Sequence, residues 1–156
     1  MSYLKVKKYF TDAGLEDRIL DFDESSATVE LAAAAVGCEP QQIVKTMSFL
    51  VEGKPILILC AGNVRIDNPK YKARFVEKAK MIPVDKVKEL VGHDVGGVCP
   101  FAIKENVTVY LDESLKTNQV LYPAAGNDQS AIELSLQELE HHSKPSAWVD
   151  VCKLRS

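Results

Sequence analysis

The strongest constraint on the fold lies between Val44 and Ala61. Two strand-like apolar runs, Val44 to Val51 and Pro55 to Ala61, are separated only by Glu52-Gly53-Lys54. A short Gly-containing connection between such runs is a hairpin signal. A hairpin makes two sheet neighbours antiparallel, so a purely parallel sheet is excluded. Helical and strand-like segments alternate on either side of it. The expected fold class is α/β of the α+β type: a mixed, partly antiparallel sheet with helices packed around it.

The remaining segments are read from periodicity and punctuation. Residues 2–13 carry Tyr3, Leu4, Val6, Tyr9 and Phe10 at helical spacing, with Gly14 as the stop. Ile19 to Phe22 reads as a short strand. Ser26 or Thr28 can cap a helix that runs through Val36 and ends at Gly37, with Glu30 in its first turn. Asn68-Pro69 opens a basic helix expected to reach about Lys80, and Pro83 precedes a second helix, Asp85 to Val91, stopped by Gly92. Val95 to Cys99 reads as strand passing into loop. Val107 to Leu111, Gln119 to Tyr122, Ala131 to Leu134 and Ala147 to Val149 read as strands, and a short helix starts near Ser135. With 156 residues, no repeat, no low-complexity tract and no linker, the chain is expected to form one domain over residues 1–156.

Composition narrows the function classes. Apolar residues make up 46% of the chain, enough for a core without metal or disulfide staples. The N-terminal stretch lacks the apolar centre of a signal peptide, and the longest apolar runs, Leu31 to Val36 and Ile56 to Ala61, are too short to cross a bilayer. The expected location is the cytoplasm, with no membrane partner. Cys38, Cys60, Cys99 and Cys152 form no C-x-x-C pair and match no zinc spacing, so they are read as free thiols. The net charge of −3 argues against a generally basic nucleic-acid binder, and no DNA partner is expected. Charge is nonetheless uneven: Arg65, Lys70, Lys72, Arg74, Lys78 and Lys80 face only Asp67 and Glu77 between residues 65 and 80. Such a stretch is either a solvated helix face or a contact for phosphates.

Common catalytic signatures are missing. There is no G-x-S-x-G, no phosphate-binding glycine motif, and no cluster among His93, His141 and His142 that suits a metal. Three segments remain. In Gln42-Ile43-Val44-Lys45-Thr46 a lysine stands before an apolar strand, where it can hold an anionic or carbonyl oxygen or simply be exposed. In Gly96-Gly97-Val98-Cys99-Pro100-Phe101 paired glycines allow positive φ, and free N–H groups can form an oxyanion hole; a tight turn is the plainer reading. Cys99 could be a nucleophile, but no histidine is predictably placed to activate it, and a small buried residue is the simpler role. Pro123 to Ser130 is a small polar loop that either shapes a pocket wall, with Asn127 and Ser130 as hydrogen-bonding groups, or is an ordinary turn.

Taken in order, these segments resemble a known family. A Thr28-capped Ala-rich helix is followed by Gln-Ile-Val-Lys-Thr at 42–46 and by Ala61-Gly62-Asn63 with Arg65-Ile66-Asp67. Then come Gly96 to Phe101, Val109-Tyr110-Leu111-Asp112-Glu113-Ser114-Leu115, and Ala125-Gly126. Over roughly residues 20–142 the chain is similar to the YbaK/EbsC family of aminoacyl-tRNA deacylases, related to the editing insertion domain of bacterial prolyl-tRNA synthetases. The specificity lies in the order and spacing of the segments, not in any one of them.

The resemblance implies a partly closed sheet surrounded by helices and hydrolysis of the ester joining an amino acid to the 3′ adenosine of tRNA. Lys45 matches the family's lysine, Gly96 to Pro100 its G-x-x-x-P loop, and Gly126 its later glycine loop. Catalytic roles fall to Lys45, Gly96 and Gly97. Substrate contacts fall to Thr28, Thr46, Val98, Cys99, Pro100, Phe101, Gly126, Asn127 and Ser130, and tRNA contacts to Arg65, Lys70, Lys72 and Arg74. No metal or organic cofactor is expected. The expected partners are aminoacyl-tRNA and, secondarily, a synthetase; the candidate substrates are Cys-tRNAPro and Ala-tRNAPro. An activated ester needs mainly positioning and charge stabilisation. The Gly96–Gly97 loop would donate to the oxyanion, Lys45 would hold the adenosine end or the carbonyl, and a ribose hydroxyl of the substrate would activate water.

The chain departs from some relatives. Ala124 and Ala125 stand where some carry serine, and Asn127, Asp128 and Ser130 where others carry a histidine, which leaves amino-acid specificity open. Three rival functions are separable by experiment: a non-catalytic module that binds tRNA or a synthetase, a hydrolase of small esters, and a thiol enzyme dependent on Cys99.

Overall fold

The computed structural model describes residues 2–26 and 28–155. In chain order the elements are α1 (Ser2–Asp12), β1 (Ile19–Asp21), α2 (Val29–Val36), β2 (Val44–Val51), β3 (Lys54–Ala61), β4 (Val64–Ile66), α3 (Asn68–Phe75) and α4 (Val87–Val91). Then follow β5 (Thr108–Asp112), β6 (Val120–Leu121), β7 (Ser130–Ile132), β8 (Leu134–Ser135), α5 (Leu136–Ser143), β9 (Ala147–Val149) and β10 (Cys152–Leu154). No helix of the described residues is long and apolar enough to cross a membrane.

The hairpin is the centre of the molecule. Val51 faces Lys54 across a two-residue turn, with Glu52 at φ 51° and Gly53 at φ 77°. Positive φ at both positions matches the twist of the flanking strands. The main sheet runs β2-β3-β5-β9. β2 and β3 are antiparallel, whereas β3–β5 and β5–β9 are parallel. From Pro55 to Ala61 every residue of β3 is buried, because both faces of the sheet are covered.

Alternation of side chains divides the core in two. Leu57, Leu59, Val109 and Leu111 pack with Val6 and Phe10 of α1, with Phe101, and with Leu134 and Leu139 near α5. Ile56, Ile58 and Cys60 face the other way, against Tyr71 and Phe75 of α3 and against Val149, Val151 and Cys152. The buried carboxylate of Asp112 ties the two chain ends of this layer. Its oxygens accept from the Ser114 and Val151 backbone N–H groups at 2.9 Å each.

Three two-stranded ribbons, β1–β7, β6–β8 and β4–β10, surround the main sheet. Tyr122 bridges to Ile43 beside the free edge of β2, and Ala124 bridges to Ala131. These links curl the sheet round on itself, giving the partly closed mixed sheet expected.

Helix ends follow local chemistry. The Thr28 side chain accepts from Leu31 N–H at the start of α2, and Gly37 closes it in the left-handed region. Ser135 and Glu138 form a reciprocal capping box at α5.

Three expectations change. The basic helix stops at Phe75 rather than near Lys80, because Lys80 to Ile82 is recruited to the edge of β2. Leu50 N–H donates to Lys80 O at 2.8 Å and Ile82 N–H to Ser48 O at 3.1 Å. Val95 to Cys99 is loop throughout, and among the described residues no strand pairs with it. The single strand expected over Ala131 to Leu134 is divided at Glu133, whose N–H still follows the β1 register to Arg18 O at 3.1 Å while the chain beyond it moves to another partner. β7 therefore pairs with β1, and β8 with β6.

Candidate functional site

A cleft of about 330 Å³ opens along the free edge of β2. Its walls come from the start of α2 (Thr28, Val29, Ala32), from β2 itself, and from the segment Met81 to Val87. The loop Val95-Gly96-Val98 and the stretch from Tyr122 to Ala131 complete it. Among the described residues that line it, Lys45 is the one that is charged.

The edge of β2 is paired at both ends and open in the middle. Val44 N–H donates to Tyr122 O at 3.2 Å, and Ser48 O accepts from Ile82 N–H at 3.1 Å. In an antiparallel strand alternate residues point their N–H and C=O to the same side. Thr46 lies midway between Val44 and Ser48, so its amide and carbonyl point away from β3 into the gap. Neither has a backbone partner there among the described residues. The Thr46 hydroxyl is also buried without a hydrogen-bond partner. A backbone donor, a backbone acceptor and a hydroxyl therefore share one point of the wall. Thr46 is legible in the sequence as a contact residue, but its open backbone is not, because an unpaired sheet edge depends on which segments come to flank it.

Lys45 is half-buried. Its side chain lies along the wall, and Nζ donates to the Val64 carbonyl. An ammonium has three protons, so two remain for another acceptor. The nearby Glu30 carboxyl, in the first turn of α2, is held below the usual range mainly by backbone hydrogen bonding and by Arg155, with a smaller contribution from Lys45.

Of the residues singled out in the sequence, Thr28, Lys45, Thr46, Gly96, Val98, Asn127 and Ser130 share this cleft. Ser130 Oγ donates to Asn127 Oδ1 at 2.7 Å, and Gln129 N–H donates to the same oxygen at 2.9 Å, which fixes the Asn127 side chain.

The others lie elsewhere. Cys99 and Phe101 are buried in the core, where Phe101 meets Phe10 edge-to-face with ring centroids 4.7 Å apart. Pro100 lines a separate cavity beside Tyr9 and His142. Gly97 and Gly126 back the cleft rather than line it. The Gly97 amide, expected to serve as an oxyanion donor, instead closes a turn onto Asp94 O at 3.0 Å. Only the Gly96 half of the glycine pair, at φ 94°, keeps its place on the wall.

Gly97 matters through its missing side chain. A Cβ there would lie 2.4 Å from Gly126 O and 2.6 Å from Asn127 Cα. The glycine loop and the Asn127 loop touch backbone to backbone, and neither neighbour can rotate away. Gly97→Ala is expected to destabilise the fold by about 1–3 kcal/mol, as overpacking does, read as a lower urea midpoint. An unchanged midpoint would mean that the two loops do not meet closely.

Structure also supplies what the sequence lacked at Cys99. His93 Nε2 lies 3.5 Å from Cys99 Sγ and 2.6 Å from Phe101 O. The six-residue spacing across a loop gave no periodic signal. Burial pushes the Cys99 thiol up to about 12 and pushes His93 down. Both stay neutral and enclosed, which is the arrangement of an inert core pair and not of an activated nucleophile.

The basic stretch divides. Lys70 Nζ pairs with Asp150 at 3.0 Å and also donates to Cys152 O. The Arg74 guanidinium sits over the Phe75 and Tyr110 rings at 5.0 and 5.4 Å. Arg65 and Lys72 are exposed.

Residues 23–141 match the family model described as the aminoacyl-tRNA editing domain. The chain belongs to the aminoacyl-tRNA editing domain family. Among its relatives is the uncharacterized protein YwhH of Bacillus subtilis, 45% identical over 98% of both chains. A proline–tRNA ligase of Streptococcus suis is 27% identical over 90% of this chain, which spans only 22% of that ligase. A crystal structure described as a candidate trans-editing enzyme for prolyl tRNA synthetase superposes with TM-score 0.86 at 27% identity, covering 97% of each chain. This editing domain thus has the size of the free-standing relatives and corresponds to one segment of the ligase.

Proposed function

We propose that this chain is a trans-editing aminoacyl-tRNA deacylase, acting in the cytoplasm as one domain, and that the β2-edge cleft is where the ester is cleaved. The observation that carries this reading is the union of Lys45 with the open backbone of Thr46 on an otherwise uncharged wall. An aminoacyl ester needs a donor for its carbonyl oxygen and an acceptor for its α-ammonium. The Thr46 N–H and C=O supply one of each, side by side. Lys45 adds a positive charge where the tetrahedral oxyanion forms, and the Gly96 amide is a further donor. Fixed donors of this kind typically give about 10²–10³-fold each.

Water adds to the ester carbon, the C–O bond to the 3′ ribose oxygen breaks, and that oxygen leaves with a proton as free tRNA. Much of the cleft wall is small or aliphatic, including Ala32, Val44, Val87 and Val98. They suit a small uncharged amino acid, so Ala-tRNAPro and Cys-tRNAPro are the leading substrates. Met81, Val84 and Val95, all strongly exposed, rim the cleft and offer an apolar seat to the terminal adenine.

The test is deacylation of a panel of charged tRNAs that includes these two. Turnover of at least one mischarged tRNA is the expected result. No turnover anywhere, with tRNA still bound, would replace the enzyme by a binding module of the same fold.

A further inference from the structure

The β4–β10 ribbon has an arrangement that folding alone does not explain. Arg65 and Lys153 are directly opposed in its antiparallel register. Both are exposed, and neither has an ion pair or side-chain hydrogen bond among the described residues. Like charges directly opposite on neighbouring strands destabilise a ribbon. Nothing in the packing requires them: Val64, Ile66 and Cys152 hold the inner face against the core.

The ribbon is also joined to the cleft. The Val64 carbonyl at its start receives Lys45 Nζ. Arg155, one residue beyond β10, donates to Gly62 O at 3.1 Å and to Glu30 at 3.0 Å. Glu30 belongs to the first turn of α2, beside Thr28 and Val29 of the cleft wall. Lys45, Arg155, Lys153 and Arg65 lead from the cleft onto an open face, with Glu30 paired to Arg155 and Asp67 at the far end of the ribbon. Of the neighbouring cations of α3, Lys70 and Arg74 are already engaged within the chain, and Lys72, though exposed, has no opposed partner cation.

We propose that this ribbon binds the sugar–phosphate backbone of the tRNA acceptor end, with Arg65 and Lys153 as paired phosphate contacts. The proposal rests on the deacylase reading for the position of the esterified 3′ end. Repulsion between the two side chains is relieved when a phosphate lies between them, and it holds both extended towards solvent until then.

The experiment is the salt dependence of binding of uncharged tRNA to the full chain, comparing wild type with the double variant Arg65→Ser/Lys153→Ser. Each phosphate contact contributes about 0.9 to the slope of log K against log salt, so loss of both lowers it by roughly two. A control, Lys5→Ser/Lys8→Ser on α1, removes the same net charge and is expected to leave the slope alone. The ribbon variant should melt at or above the wild-type temperature, since a repulsive pair is gone. An unchanged slope, or an equal fall in the control, overturns the proposal. Binding of uncharged tRNA is decided without turnover, so absence of deacylation would defeat the functional reading and leave this result standing. Where turnover is found, the ribbon variant also loses its preference for charged tRNA over aminoacyl-adenosine.

Discussion

Lys45→Met is expected to lower the rate of deacylation by about 10²–10³-fold, the usual cost of removing one group that stabilises a developing oxyanion. Methionine keeps the stem that lies along the cleft wall and removes only the ammonium. The loss should fall on kcat, because the charge acts mainly when the carbonyl oxygen becomes an oxyanion. Folding should be nearly unaffected. The Val64 carbonyl loses one donor at a part-buried site, worth about 1 kcal/mol. Parallel measurement of single-turnover rates and melting curves separates the two effects. A wild-type rate in Lys45→Met would remove Lys45 from the chemistry and leave Thr46 and Gly96 as the only donors.

Leu111→Ala is expected to be the more damaging change for stability. Leu111 is fully buried in β5, with Leu59 of β3 opposite on one side and Trp148 of β9 on the other. Deleting a buried leucine side chain in such a setting costs about 2–5 kcal/mol. For a chain of this length that lowers Tm by roughly 2–4 °C per kcal/mol. Thermal and urea denaturation should agree on the loss. A shift within error would mean that the centre of the sheet repacks far more freely than its enclosure suggests.

The strongest signals in the sequence were local. The β2–β3 hairpin was legible because two apolar runs and a turn Gly occupy consecutive positions, and no distant partner is needed to choose that pairing. The capped ends of α2 and α5 were legible for the same reason: Thr28, Gly37 and the Ser135–Glu138 box act within one turn. β4 and β10 were not legible. Each has three residues, too few for periodicity, and each is a strand only because the other lies beside it across more than eighty positions of chain. α3 was over-extended for a related reason. Nothing in Val76 to Lys80 forbids helix, but the backbone at Lys80 and Ile82 gains hydrogen bonds to β2 that a longer helix would forfeit.

The candidate site divides in the same way. Sequence order and spacing identified the editing family and named Lys45, Thr46 and Gly96, because a family's loops keep their order along the chain. Of the others, Gly97 backs the cleft, Pro100 and Phe101 lie away from it, and Cys99 takes the small buried role that was its simpler reading, because adjacency in a loop says nothing about which groups face a cleft. Tertiary structure alone decided that the Gly97 amide is spent on Asp94 and that Cys99 meets His93 inside the core. It alone left the edge of β2 open at Thr46 and set Arg65 against Lys153. The physical reason is range. Caps, turns and alternation are fixed by neighbours a few residues apart, whereas an unpaired sheet edge, a backbone-to-backbone contact or an opposed pair of charges exists only once distant segments have docked.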